Sequence, residues 1–159
     1  SFRATGFGYF LEQSTRPQTI GYALLDSPVA LAAWMLDHDT DSYYKISRAF
    51  VDGQPTGGLS RDHILDNITL YWLTGTGASA ARTYWENARA TGQTLPDVQV
   101  PVGFSTFPGE IFRAPRSWVE QTYPTLTYFN EAERGGHFAA WEEPELFAAE
   151  LRAAFRPLR

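Results

Sequence analysis

The sequence predicts an α/β fold in which a mostly helical region precedes a β-α-β unit. Two observations support this class. Helix caps and broad apolar faces recur over residues 28–90, and short strand-like runs appear only after Pro96. A helical segment separates the two runs and another helix follows them, which is typical of a right-handed parallel crossover. With 159 residues, 43% of them hydrophobic, the chain is long enough to bury a core.

The N-terminal residues give the weakest pattern. Residues 1–25 are rich in Gly, Thr, Gln and aromatic residues without a sustained period, so we expect a loop with short helical turns there. Ser27 and Pro28 then form a typical helix start. The residues that follow are apolar nearly all round the predicted helix, which predicts a well-buried helix over 28–38.

Three more helices are expected before the strands. Ser60 is the predicted N-cap of a helix over 61–73, and Gly75 follows its last apolar residue. Turn-rich stretches surround a short helical segment at 42–50, and a longer helix is expected over 79–90. Residues 1–93 are therefore predicted to be helix and loop.

The strands come in the last third of the chain. The continuous apolar run at 98–104 predicts a strand that is buried on both faces, with Pro101 placed where no ladder donor is needed. A helix is expected over 115–123 and a second strand over 126–130. Two strands do not form a stable sheet alone, so we expect this unit to need further partners.

The last helix is predicted to begin at Pro144. One of its faces is expected to pack while the opposite face is charged. The residues of the packed face are Leu146, Phe147, Glu150, Leu151 and Phe155.

Composition excludes several classes of function. The net charge of −5 and the scattered positions of the 13 Lys and Arg residues argue against a nucleic-acid partner. No Cys is present, which excludes a disulfide or a thiolate metal site and is consistent with a cytoplasmic location. No apolar run approaches the roughly 18 residues of a membrane span. We expect no metal, no cofactor and no membrane segment in this chain.

Spacing brings one acid and one base to the same place. Glu110 follows the first predicted strand and His137 follows the second, 27 residues later. In a parallel β-α-β unit the carboxyl ends of adjacent strands lie roughly 4.8 Å apart, so both side chains reach one crevice. A carboxylate hydrogen-bonded to an imidazole is the arrangement of a His general base. A structural histidine and a solvated loop carboxylate are the alternative interpretation.

Several motifs occur in a characteristic order, and together they resemble one known family. The motifs are Gly8-Tyr9, Gln13-Ser14-Thr15-Arg16-Pro17, Leu25-Asp26-Ser27-Pro28, Asn67-Ile68-Thr69-Leu70-Tyr71-Trp72, Arg82-Thr83-Tyr84-Trp85, Val100-Pro101-Val102-Gly103-Phe104, Phe107-Pro108 with Glu110, and Gly135-Gly136-His137. Over residues 6–156 the chain resembles the C-terminal half of epoxide hydrolases of the microsomal and juvenile-hormone type, which have the α/β-hydrolase fold.

The resemblance implies roles for four residues. His137 would be the general base that activates water, and Glu110 would be its acid partner. Tyr9 and Tyr84 match the two lid tyrosines of the family, whose phenols hydrogen-bond to the epoxide oxygen. The reaction implied is the hydrolysis of an apolar epoxide to a vicinal diol through a covalent ester, a detoxification chemistry.

The resemblance also implies the domain organisation. Residues 1–93 correspond to the helical lid, and residues 94–159 correspond to the last two parallel strands and the helices of the core. The sequence departs from the family in one respect, because it contains no G-x-D-x-G or G-x-S-x-G nucleophile elbow. The nucleophile and the oxyanion hole are therefore expected in an N-terminal half, in the same polypeptide or an associated chain.

Two alternatives stay open at this point. The chain could belong to another α/β-hydrolase with a different nucleophile, such as an esterase or a dehalogenase. It could also be a non-catalytic fragment in which the acid–base pair is vestigial. The two tyrosines favour an epoxide substrate over the first alternative, and the joint presence of all four residues argues against the second.

Overall fold

The computed structural model describes residues 2–36, 46, 50, 58–90 and 97–158. The chain divides into two compact units, Ser1–Gln93 and Thr94–Arg159. We call them the helical unit and the sheet unit. Among the described residues, no helix combines the length and the apolar character that crossing a membrane requires.

In its described part, the helical unit is built from a series of short and medium helices. They are α1 (Phe2–Thr5), α2 (Gly8–Thr15), α3 (Pro17–Asp26), α4 (Pro28–Leu36), α5 (Arg61–Thr74) and α6 (Gly77–Arg89). Helices α3 and α6 pack closely because each contributes a glycine to the contact. A Cβ atom on Gly77 would lie 2.9 Å from the Cβ of Leu24, and one on Gly21 would lie 3.1 Å from the Cβ of Ala78.

The predicted caps explain where α4 and α5 begin. The Oγ of Ser27 accepts a hydrogen bond from the Ala30 N–H at 3.4 Å, and the Oγ of Ser60 accepts one from the His63 N–H at 3.3 Å. Gly75 ends α5 with a φ of 62°, in the left-handed region that glycine adopts readily. The helix starts predicted at 28 and 61 are confirmed.

The expected loop over residues 1–25 is wrong, because the structure has three helices there. Each is short, and non-helical backbone at Arg16 separates α2 from α3, which begins at Pro17. Helices of this length give little periodicity. Helices α2 and α3 pack against α6, and this packing rather than local propensity accounts for their stability.

The well-buried helix expected over 28–38 is only partly buried. Leu31 is 1% exposed, whereas Val29 on the same helix is 74% exposed. The apolar residues of this helix thus extend beyond the face that packs within the unit. The short helix expected at 42–50 lies mostly outside the described residues.

The sheet unit contains a parallel pair of strands and the helices around it. Its elements are β1 (Val102–Thr106), α7 (Arg116–Thr122), β2 (Leu126–Glu131), α8 (Ala139–Glu142), α9 (Pro144–Phe155) and a final 3-10 turn (Arg156–Leu158). Strands β1 and β2 are parallel, as predicted, and their register pairs Ser105 with Asn130.

Strand β1 begins later than the predicted strand at 98–104. The backbone carbonyls of Val98 and Val100 accept hydrogen bonds from the Thr125 hydroxyl, at 3.2 and 2.7 Å, instead of joining the ladder. Pro101 has no N–H to donate. The first backbone hydrogen bond towards β2 is therefore donated by the Val102 N–H to the Thr125 carbonyl, at 3.0 Å. Val100 is 66% exposed, and the expected burial on both faces is wrong there.

Helix α9 begins at Pro144 as predicted, but its expected packed face is only partly covered. It approaches β1 most closely where a Cβ on Gly103 would lie 2.7 Å from the Cβ of Ala154. Leu151 and Phe155 border a cavity of about 270 Å³ beside this contact and are 45% and 55% exposed. Glu150, by contrast, is 9% exposed.

Candidate active site

Glu110 and His137 are joined by a hydrogen bond in the sheet unit. The Nδ1 atom of His137 lies 2.9 Å from Oε1 of Glu110. Glu110 follows β1 and His137 follows β2, so the contact expected from the spacing of one crossover is present. The imidazole side chain is 55% exposed and the carboxyl group 29% exposed, which leaves the pair accessible.

The backbone holds the two loops together beyond the ends of the strands. The Ala132 N–H donates to the Thr106 carbonyl at 2.8 Å, and the Gly109 N–H donates to the Gly135 carbonyl at 2.9 Å. Gly109 and Gly136 also form a parallel bridge. The residues next to Glu110 and His137 are therefore paired, which limits how far the two side chains can separate.

Gly135 provides the turn that directs His137 back towards Glu110. Its φ is 97°, which disfavours any residue with a side chain. A Cβ at this position would lie 3.1 Å from Cδ1 of Phe107, a buried residue at the end of β1. Only glycine meets both requirements without strain.

The hydrogen-bond partners define the tautomer of the imidazole. Oε1 of Glu110 also accepts a hydrogen bond from the Ile111 N–H at 2.7 Å, which orients the carboxylate. Since a carboxylate only accepts, Nδ1 of His137 carries the hydrogen in the neutral ring and Nε2 has the lone pair. This arrangement can take a proton from water at Nε2 and stabilise the resulting charge through the carboxylate.

Aromatic rings and polar contacts border the imidazole on its C-terminal side. The rings of His137 and Phe138 meet edge-on with centroids 5.0 Å apart, and Phe138 contacts Trp141 in the same way at 6.5 Å. The Phe138 N–H donates to Oε1 of Glu142 at 3.2 Å, and Nε of Arg134 lies 2.8 Å from Oε2 of Glu143. These contacts fix the loop between β2 and α9.

The two predicted tyrosines lie side by side in the helical unit. Tyr9 is on α2 and Tyr84 is on α6, and their rings meet edge-on with centroids 5.9 Å apart. Phe10 also packs edge-on against Tyr84, at 5.8 Å. Both tyrosine side chains are half-buried. Residues far apart in sequence are thus brought together as one pair of phenols on an aromatic surface.

Comparisons with known proteins agree with these features. A Stigmatella aurantiaca protein named "Putative epoxide hydrolase" is 54% identical over 161 residues, covering 100% of this chain and 34% of the relative. Epoxide hydrolase 1 of Sus scrofa is 44% identical over 149 residues, covering 91% of this chain and 33% of the relative. No protein-family model matches the chain.

The solved structures that resemble this chain are also epoxide hydrolases. The Aspergillus niger epoxide hydrolase is 34% identical with a TM-score of 0.75, covering 99% of this chain and 37% of that enzyme. The juvenile hormone epoxide hydrolase of Bombyx mori is 28% identical with a TM-score of 0.73, over 95% of this chain and 39% of that chain.

This chain is a homologue of part of the epoxide hydrolases. It spans about a third of the length of the curated relatives it matches, 34% and 33% for the two named above. The fold is accordingly a part of the α/β-hydrolase fold of these enzymes: the described residues are mostly helical and form a parallel pair of strands, as the sequence predicted.

Sequence reasoning missed one polar cluster in this epoxide hydrolase homologue. Glu150 was placed on the packed face of the last helix and was given no role. In the structure its carboxyl group contacts the side chains of Ser105, Tyr128 and Asn130. An acidic residue at helical spacing among apolar neighbours was the available signal.

No group of His, Asp or Glu residues that could hold a metal ion occurs within the described residues.

Proposed function

We propose that this chain supplies the acid–base pair and the epoxide-binding tyrosines of an epoxide hydrolase acting on an apolar epoxide. The observation that carries the proposal is the 2.9 Å hydrogen bond between His137 and Glu110 at the ends of adjacent parallel strands. The neighbouring phenols of Tyr9 and Tyr84 and the similarity to epoxide hydrolases support it.

In the first step the epoxide ring opens. The phenols of Tyr9 and Tyr84 donate hydrogen bonds to the epoxide oxygen while a carboxylate nucleophile outside this sequence attacks a ring carbon. The carbon–oxygen bond of the ring breaks, and the oxygen takes a proton from one phenol. The product is a hydroxy ester bound to the nucleophile.

In the second step water cleaves the ester. Nε2 of His137 takes a proton from water as the oxygen adds to the ester carbonyl, and Glu110 stabilises the imidazolium that forms. The alkoxy oxygen then leaves with a proton from the imidazolium. The vicinal diol is released and the nucleophile is freed as a carboxylic acid. Its proton returns to the phenolate left by the first step, which regenerates both the carboxylate and the phenol.

The roles of the two units follow from this proposal. Residues 1–93 would form the lid that carries the tyrosines, and residues 94–159 would form the last strands and helices of the core. The nucleophile and the oxyanion hole would come from the N-terminal half of the same fold, in the same polypeptide or an associated chain. A cytoplasmic location stays a prediction, which cell fractionation can test.

The test uses the protein expressed from its complete gene and an apolar aryl epoxide such as styrene oxide. Glu110→Gln keeps the shape of the acid and removes its charge, so we expect diol formation to fall by at least about 10²-fold. Glu120→Gln is the matched control, because Glu120 is an exposed carboxylate paired with Arg116 on α7. It should retain the wild-type rate.

Two results would contradict the proposal. A Glu110→Gln variant that hydrolyses the epoxide at the wild-type rate would remove Glu110 from the acid–base pair. A wild-type protein that cleaves carboxylic esters but no epoxide would make the chain part of an esterase.

A further inference from the structure

Helix α9 carries a carboxyl group that is turned into the sheet unit. Glu150 is 9% exposed and accepts hydrogen bonds from three side chains. Oε2 accepts from the Ser105 hydroxyl at 2.7 Å and from the Tyr128 phenol at 3.0 Å, and Oε1 accepts from the Asn130 amide at 2.9 Å. All three donors come from β1 and β2.

Apart from Ser105 and Thr127, the other residues that line the cavity beside this carboxyl group have no polar side chain. Glu150 borders the cavity of about 270 Å³ whose lining includes Phe107, Phe147, Leu151 and Phe155. Within the described part of the chain, no Lys or Arg forms an ion pair with Glu150. An apolar residue of similar volume would pack here at a lower desolvation cost, because removing a carboxylate from water is expensive even with good hydrogen bonds. Packing alone therefore does not explain the residue.

Tyr128 stays protonated and can always donate its hydrogen bond to Glu150. Burial, and next the hydrogen bond and the charge of Glu150, raise the pKa of the Tyr128 phenol above its usual value. The phenol thus keeps its proton at neutral pH and donates a hydrogen bond to the carboxylate. The three hydrogen bonds have fixed directions, which apolar contacts do not.

The donors lie at the point from which both catalytic loops start. Ser105 on β1 and Asn130 on β2 are direct partners in the strand register, and each contacts a different oxygen of Glu150. Glu150 therefore joins the two strands through their side chains. The backbone bonds from Ala132 to Thr106 and from Gly109 to Gly135 continue this pairing towards the acid and the base.

We propose that Glu150 is a positioning residue, which fixes β1 against β2 and thereby sets the distance between Glu110 and His137. The proposal rests on the function proposed for that pair. Glu150 does not touch the reacting atoms, so it acts only through the strands. Its loss should affect the step that needs the acid–base pair and spare the step that needs the tyrosines and the nucleophile.

The experiment compares Glu150→Gln with Glu145→Gln in the protein expressed from its complete gene. Glu145 is an exposed residue on the same helix, so both variants lose one negative charge from α9. Single-turnover quenching with mass spectrometry gives the rates of ester formation and ester hydrolysis. We expect Glu150→Gln to slow ester hydrolysis roughly tenfold or more, because small displacements of reacting groups are costly. The rate of ester formation should stay within about twofold of the wild-type rate.

A second readout does not depend on turnover. The proton NMR signal of His137 Nδ1–H reports its hydrogen bond to Glu110, and we expect it to move upfield in Glu150→Gln and to stay in place in Glu145→Gln. A purely structural role would lower the melting temperature or the active fraction and leave both the ratio of the two rates and this signal unchanged.

The outcomes are distinguishable. An unchanged rate ratio and an unchanged signal in folded Glu150→Gln would overturn the proposal. If Glu150→Gln does not fold, Tyr128→Phe replaces it, because this variant keeps the carboxylate and removes one donor. It should shift the rate ratio and the NMR signal in the same direction but to a smaller extent. No shift in Tyr128→Phe would overturn the proposal. If the wild type forms no ester, the proposed function fails, and the NMR signal alone decides whether Glu150 positions the pair.

Discussion

At the scale of single residues, the proposed mechanism assigns the imidazole to only one of its two chemical steps. His137 contacts Glu110 through Nδ1, so only Nε2 is available to activate water. In the proposed mechanism ring opening needs no base, because the proposed nucleophile is a carboxylate. The histidine should therefore be needed for hydrolysis of the ester and not for its formation.

This separation predicts the behaviour of His137→Gln in the protein expressed from its complete gene. The variant should open one equivalent of epoxide and retain it as a covalent ester, visible as a mass increase after quenching. His63→Gln is the control, since His63 lies at the start of α5, where Nδ1 is 3.0 Å from the Gly58 carbonyl. The control should turn over normally, and a His137→Gln variant without any adduct would mean that the base acts in the first step.

The tyrosine pair gives the complementary prediction. Replacing both Tyr9 and Tyr84 by Phe should block ester formation, because each placed donor to a developing oxyanion is worth about 3 kcal/mol. Tyr22→Phe is the control, because Tyr22 lies on α3 and is 69% exposed. Stopped-flow or quenched single-turnover measurements give the rate of the first step. An adduct formed at the wild-type rate in the double variant would refute the role of the phenols.

At the scale of elements, capping chemistry made α4, α5 and α9 predictable, because Ser27, Ser60 and Pro144 act through local hydrogen bonds and backbone geometry. The acid–base contact was predictable for a similar reason, since one crossover brings two strand ends together. The hydrogen bonds of Glu150 were not predictable. A helical period indicates which face of a helix packs, but it does not indicate which hydrogen-bond donors on the strands lie opposite that face.

The helices in residues 1–25 were missed because their stability is tertiary. The start of β1 was predicted a few residues too early. The Thr125 hydroxyl donates to the carbonyls of Val98 and Val100, and the periodicity of a sequence does not reveal such a side-chain contact. In both places contacts distant in sequence override the local pattern.

The approach of α9 to β1 provides a prediction for stability. In the protein expressed from its complete gene, Gly103→Ala should lower the free energy of unfolding by about 1–3 kcal/mol, because the new Cβ would lie 2.7 Å from the Cβ of Ala154 and the helix must shift. Gly8→Ala is the control, since nothing lies within 4 Å of a Cβ at the start of α2. Urea unfolding gives the free energy of unfolding of both variants. A Gly103→Ala variant as stable as the wild type would show that α9 moves freely over the sheet.

At the scale of the whole molecule, large apolar side chains are exposed in both units. Val29 and Leu73 in the helical unit are 74% and 78% exposed, and Trp118 and Phe112 in the sheet unit are 66% and 79% exposed. Single exposed apolar side chains are common on soluble proteins, whereas a contiguous apolar patch marks contacts with other protein. The curated relatives, of which this chain spans about a third, contain residues that could provide such contacts.

The isolated 159-residue chain should therefore be inactive. Its sequence has no nucleophile elbow, so we expect no ester to form. The sheet of two strands in its described part should be too small to be stable alone. We expect the purified chain to associate in size-exclusion chromatography, to unfold without a sharp transition, and to leave an aryl epoxide unchanged. Co-expression with the part of the Stigmatella aurantiaca relative that lies outside the matched region is the matched control. It should improve solubility if that part covers the exposed apolar residues. Diol formation by the isolated chain would place the nucleophile within residues 1–159.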